Sequence, residues 1–191
     1  MSFDFRLFQL INNLAGRNDV LDGLMRLLVT DYFLTTAMCL ILIAFWFEGQ
    51  DRGQRERNQE AVLRAIITLF VANILLKVCN LVYFRPRPFA THEVNLLFYR
   101  PTDSSFPSNS ATVGFSLATA VWLYNWRVGA LLFLLATLFG LSRIYCGVHY
   151  PSDIVAGALL GGLSAYIVRK AGFIDPIISL IIRTGRRLYL A

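Results

Sequence analysis

The sequence predicts an all-α fold, a polytopic bundle of transmembrane helices, on two observations. Hydrophobic residues make up 56% of the 191-residue chain and the mean hydropathy is +0.55, more than a soluble domain carries. The excess is also concentrated in apolar runs at 27–47, 61–84, 111–126, 128–146 and 154–168, which approach the roughly 20 residues needed to cross a bilayer. About five to six spans leave little chain for a soluble unit, so residues 1–191 are read as one membrane domain.

Each segment follows from its own pattern. In 1–16, Phe5, Phe8 and Ile11 recur at helical spacing, while Asp4 and Arg6 interrupt the run. A cleaved leader needs an unbroken apolar stretch, so an interfacial amphipathic helix is expected, with those apolar residues in the headgroup zone. Cys39 and Cys79 lie in the first two apolar runs and Cys146 closes the fourth. Such an odd set argues for buried packing residues rather than disulfides. Pro151 precedes the fifth run, where its fixed φ suits a first helical turn. The last segment, 177–191, carries Arg183, Arg186 and Arg187 and is expected to form a second interfacial helix.

A formal net charge of +6 would suit nucleic acid, but its distribution points instead to membrane topology and an anionic ligand, with no nucleic-acid partner. Five spans place Arg52, Arg55, Arg57, Arg127, Arg169, Lys170, Arg183, Arg186 and Arg187 on one side. Arg6, Arg17, Arg26, Arg85, Arg87, Arg100 and Arg143 fall on the other, three of them within polar motifs. With those three set aside, the positive-inside rule makes the first side cytoplasmic, together with the C-terminus. The motif side then faces the periplasm or extracellular space from a plasma (inner) membrane.

Three segments on that side hold polar residues that composition does not explain: FRPRPF at 84–89, FPSNSAT at 106–112 and SRIYCGVHYPSD at 142–153. In the third, a helix starting at Pro151 puts Asp153 in its first turn, from which it could reach back to His149. Nucleophilic histidine chemistry needs such a pair, because the carboxylate fixes the tautomer and stabilises the charge that develops as the other nitrogen attacks. In the second, Ser108 and Asn109 are natural N-cap residues before an apolar helix. A helix N-terminus offers N–H groups and a positive dipole end to an anion. Taken singly, each piece also fits a plain role: an interfacial arginine, a rigid PRP turn, an ordinary cap. They converge in a chain with only two histidines.

These segments resemble the three signature motifs of the type 2 phosphatidic acid phosphatase family, which is similar at its active site to vanadium haloperoxidases. The family pattern is Lys-x6-Arg-Pro, then Pro-Ser-Gly-His, then Ser-Arg-x5-His-x3-Asp; the third matches in full at Ser142, Arg143, His149 and Asp153. The resemblance spans roughly residues 60–170. It implies that His149 is the nucleophile forming a phosphohistidine, that Asp153 orients it, and that Arg87 and Arg143 clamp the phosphate. Ser108, Asn109 and nearby amides would complete the cradle. No metal and no cofactor are implied; arginine forks supply the charge instead.

Two positions depart from the pattern. Asn80 stands at the lysine position and Ser110 at the histidine of the second motif. Lys77, one helical turn before Asn80, could bring an ammonium to nearly the same place or simply snorkel to the interface, and Arg85 is another candidate. The missing histidine is the family's general acid, which serine cannot replace near neutral pH; its loss typically costs about 10²- to 10⁴-fold. The penalty depends on the leaving group. An alkoxide needs the proton, whereas a lipid phosphate, with a second pKa near 6, departs almost unaided. His92 is the other histidine that could stand in.

The short chain, RPRPF with His92 and Val94-Asn95-Leu96-Leu97, and the FPS segment most resemble bacterial bacitracin-resistance-type undecaprenyl pyrophosphate phosphatases. That resemblance implies a polyprenyl or other lipid (di)phosphate substrate among membrane lipids. Phosphatidylglycerophosphate phosphatases share the motifs, and a non-catalytic polyprenyl-phosphate binder or transporter on the same scaffold is the alternative from another class.

Overall fold

The computed structural model describes residues 2–187. The last four residues of the expected C-terminal helix lie outside them. The elements are α1 Phe3–Asn12, α2 Asp19–Leu28, α3 Phe33–Phe47, α4 Arg52–Val82, α5 Pro88–Thr91, α6 Asn109–Trp122, α7 Trp126–Tyr145, α8 Pro151–Lys170 and α9 Asp175–Arg187, with a short 3-10 turn before α9. Among the described residues all regular structure is helical.

Among the described residues the five expected runs do not all become unbroken spans. Helices α4, α7 and α8 are long and apolar enough to cross a membrane, and α2 with α3 makes a fourth span only as a pair bent by 57°. The bend falls at Thr30–Tyr32, where Asp31 interrupts the first apolar run. The third run becomes the 14-residue α6, about 21 Å long at 1.5 Å per residue and short of the ~30 Å hydrocarbon core. Its start is set by the Ser108 cap, and α4, α7 and α8 surround it.

Close packing around α6 depends on small residues. A Cβ on Gly157 would meet the Ser108 carbonyl oxygen at 2.6 Å, and one on Gly161 would meet that of Thr112 at 2.7 Å. A glycine pair four apart lets two backbones touch, and such contact drives association in lipid, where the apolar solvent removes the hydrophobic incentive. Ala61, Ala65, Ala118, Ala136 and Ala165 continue the seam into a buried cluster with Met38, Leu117 and Leu132.

The terminal helices are docked rather than only interfacial. Phe5 and Phe8 of α1 are buried against Ile144 and Tyr150, so the aromatics expected to face the headgroups face the protein. Phe3 and Leu10 stay exposed on the opposite side of the helix. Asn12 ties α1 down, donating to the carbonyl oxygens of Asn95 and Tyr145, both at 2.8 Å. Helix α9 buries Ile178 and Ile182 against Leu63, Ile67 and Val71 of α4. Arg64, buried on α4, holds its start through Asp175, with Glu60 and the Val168 carbonyl oxygen as its other partners. A charge this deep persists because every fork position is engaged. The cysteines differ from expectation: Cys146 is buried, Cys79 half-buried and Cys39 exposed, because α3 turns that face outward from the bundle.

Candidate active site

Three loop segments meet where α4 ends, α6 begins and α7 passes into α8. Gly147, at φ +84°, makes the turn after α7 and lies so close to the Asn95 carbonyl oxygen that a Cβ would sit 2.9 Å from it. That turn delivers His149 inward, 2% exposed. Helix α8 begins at Pro151, and Asp153 in its first turn accepts from the Tyr150 N–H at 2.9 Å. The Asp153 carbonyl oxygen in turn accepts from the Ser108 N–H at 3.0 Å, locking the start of α8 to the cap of α6.

The imidazole has a definite orientation. Its Nδ1 lies 2.9 Å from the carbonyl oxygen of Ser105, an acceptor only, so Nδ1 carries the proton and Nε2 the lone pair. Nε2 faces Nη1 of Arg87 at 3.1 Å, a donor only. Arg87 is buried, its remaining N–H groups going to the Val148 and Asp103 carbonyl oxygens and the Asp103 carboxylate. Burial pushes the His149 pKa below the ordinary imidazole range. Asp153 opposes the shift, but Arg87 and Arg143 add to it, so the ring stays neutral.

Asp153 does not grip the ring as the sequence suggested. Its Oδ2 is 3.8 Å from Nδ1, beyond hydrogen-bond range, because the Ser105 carbonyl oxygen occupies that position. The Ser105 hydroxyl donates to Asp153 Oδ2 at 2.5 Å, so Ser105 bridges the two residues. Asp153 Oδ1 accepts from Arg85 Nη1 at 2.6 Å. Arg85 therefore lies behind the carboxylate, with Asp4, Ser152 and the Tyr150 ring as its other partners.

Arg143, buried near the end of α7, is stacked between Phe98 and Phe139 and paired with Asp31 at the α2–α3 bend. Its Nε is buried without a hydrogen-bond partner among the described residues.

Residues 61–174 match the PAP2 superfamily. The chain belongs to the PAP2 superfamily. It is 32% identical to the undecaprenyl-diphosphatase BcrC of Bacillus subtilis, over 94% of this chain and 90% of that one. It is 34% identical to the bacitracin transport permease protein BcrC of Bacillus licheniformis, over 95% and 88%. The crystal structure of Aquifex aeolicus LpxE superposes with a TM-score of 0.67 at 31% identity, covering 89% of this chain and 96% of that one. As a PAP2 protein with membrane-spanning helices, the chain is an integral membrane hydrolase of the lipid phosphatase type.

Set against the PAP2 motifs, the structure gathers His149, Asp153, Arg87 and Ser108 into one buried cluster, with Arg143 acting on the imidazole electrostatically. Ser108 caps α6, its Oγ accepting from the Ala111 N–H at 3.4 Å. Asn109 is the first helical residue and exposed, and Ser110 is half-buried with no side-chain hydrogen bond among the described residues. Lys77 is exposed on α4 and makes no ion pair or side-chain hydrogen bond there. His92 is exposed, its ring stacked on Phe5 at 3.9 Å.

Sequence reasoning missed Ser105, Asp103, Asp31 and Asp4. The polar run Thr102–Ser105 just before the second motif was a readable signal in so apolar a chain. Asp31 and Asp4 carried none beyond breaking apolar runs.

Proposed function

We propose that this PAP2 protein removes the terminal phosphate of undecaprenyl diphosphate through a phosphohistidine on His149. The observation that carries the reading is the tautomer: Nδ1–H held by the Ser105 carbonyl oxygen leaves the Nε2 lone pair beside Arg87. The name of the Bacillus subtilis relative, an undecaprenyl-diphosphatase, supplies the substrate.

In the first step, Nε2 forms a bond to the terminal phosphorus while the bond from phosphorus to the bridging oxygen breaks. The lipid monophosphate leaves with the bond's electrons. Arg87, still protonated, redirects the Nη1–H hydrogen bond from the lone pair to a phosphoryl oxygen, and the Nε–H of Arg143 donates to another, countering the equatorial charge. Asp153 stabilises the positive charge growing on the ring. In the second step water attacks the phosphohistidine, releasing inorganic phosphate and restoring neutral His149. With Ser110 at the general-acid position, a leaving group of low basicity is required, and a lipid phosphate meets that requirement. The site opens toward the periplasm or extracellular space. Supporting this, α9 packs on α4 at Leu63, Ile67 and Val71 and its Arg186 pairs with Glu56 near the start of α4, whereas the site follows the last residue of α4.

The test is phosphate release from undecaprenyl diphosphate in nanodiscs by the chain, by Ser110→His and by His149→Ala. Turnover in the first two and none in the third supports the reading. A Ser110→His protein that binds the lipid but never releases phosphate would replace it with a polyprenyl-phosphate binder or transporter.

A further inference from the structure

Helix α1 carries one acidic residue, and it reaches the site. Asp4 Oδ2 accepts from Arg85 Nη2 at 2.7 Å and from the Ser152 hydroxyl at 2.5 Å, while Oδ1 accepts from the Ser152 N–H at 3.0 Å. The last contact caps an open N–H in the first turn of α8. Arg85 uses its other terminal nitrogen on Asp153. A chain of alternating charge thus runs from the N-terminal helix through Arg85 to the carboxylate beside His149.

We propose that Asp4 is a positioning residue of the phosphoryl-transfer site: it offsets the Arg85 charge so that Asp153 remains an effective anionic partner for the His149 imidazole. Arg85 sits 2.6 Å from Asp153, closer than the 3.8 Å between Asp153 and the imidazole. Alone, that guanidinium would oppose the field of Asp153 at the ring. With Asp4 on its far side the group keeps one net negative charge. Burial raises the Asp4 pKa, but hydrogen bonds from Ser152 and Arg85 outweigh it and keep the carboxyl ionised. The other charges facing the ring are Arg87 and Arg143, whose repulsion is the load the anionic group opposes. Docking of α1 thereby becomes part of the site, since Phe5 and Phe8 seat the helix that brings Asp4 in.

The inference rests on His149 being the working imidazole, and its test does not require turnover. The chain has two histidines, so ¹⁵N-imidazole NMR of the protein in nanodiscs yields two pairs of ring-nitrogen signals, assigned with His149→Ala. Asp4→Asn keeps an acceptor for the Ser152 N–H and removes the charge. The expected result is a His149 titration midpoint roughly half to one pH unit lower, restored by Asp4→Glu. His92, stacked on Phe5, reports whether α1 is still docked, and its signal should not move. The acidic limb of kcat/KM should shift in parallel. A His149 signal that does not respond to Asp4→Asn overturns the proposal, as does a response seen only when the His92 signal shows α1 released. A responding imidazole in a protein that releases no phosphate leaves the relay standing and removes the substrate assignment.

Discussion

The backbone carbonyl oxygen of Ser105 accepts the Nδ1 proton of His149 at 2.9 Å, and this bond rather than a side-chain carboxylate sets the tautomer. A carbonyl does not titrate, so the orientation persists at pH values where a carboxylate partner would be lost. Asp153 then acts through its field and through the Ser105 hydroxyl.

Ser105→Ala separates these roles. The carbonyl remains, so the tautomer is retained, but Asp153 loses a charge-assisted hydrogen bond. A kcat reduced roughly ten-fold with KM nearly unchanged is expected from a bond of this class. Combined with Asp153→Asn the losses should be less than additive, because both act on the imidazole along one path. Fully additive losses in steady-state kinetics would refute the bridge.

Stability should depend on pH through the buried His149. Its pKa is depressed in the folded protein and ordinary, about 6.5, in the unfolded chain. The unfolded state therefore binds the proton first, and stability present above about pH 6.5 is lost as pH falls toward the folded-state value. Thermal unfolding across pH 4–8 should show the decline, and His149→Gln should flatten it.

Leaving-group basicity should govern what Ser110→His adds. On a phosphatidic acid, whose alkoxide needs a proton, the variant should gain about 10²-fold or more, and on undecaprenyl diphosphate less than about ten-fold. Equal gains on the two substrates would show that position 110 does not protonate the leaving oxygen.

The α6–α8 seam predicts a packing effect with a functional consequence. Gly161→Leu forces side-chain atoms against the Thr112 carbonyl oxygen and the Ser116 N–H, each 2.7 Å from a Cβ there, and should destabilise by about 1–3 kcal/mol. Gly157→Ala presses on the Ser108 carbonyl oxygen at the α6 cap. It should therefore lower activity in proportion beyond its effect on the melting temperature, whereas Gly161→Leu should not.

The membrane class was legible in the residues alone, because apolar runs of this length match the thickness of a bilayer core. His149, Asp153, Arg87 and Arg143 stood out as candidates because charge is costly in an apolar chain, and the structure brings His149, Asp153 and Arg87 together. Helix α8 starting at Pro151, with Asp153 in its first turn, was legible from proline geometry alone. Span count was less so, since hydropathy does not register that Asp31 bends one run and that Ser108 shortens another into a buried helix.

Partner assignments were decided only by tertiary structure. Arg85 and Arg87 are two residues apart in one motif, yet one supports Asp153 from behind and the other faces Nε2 of His149. Residues two apart in a regular extended segment would share a face, so it is the packing around each arginine that separates their partners. Asp4, Ser105 and the imidazole are separated by up to 145 positions. No local pattern links groups that far apart; only the docking of α1 over the α7–α8 turn brings them into one charge network.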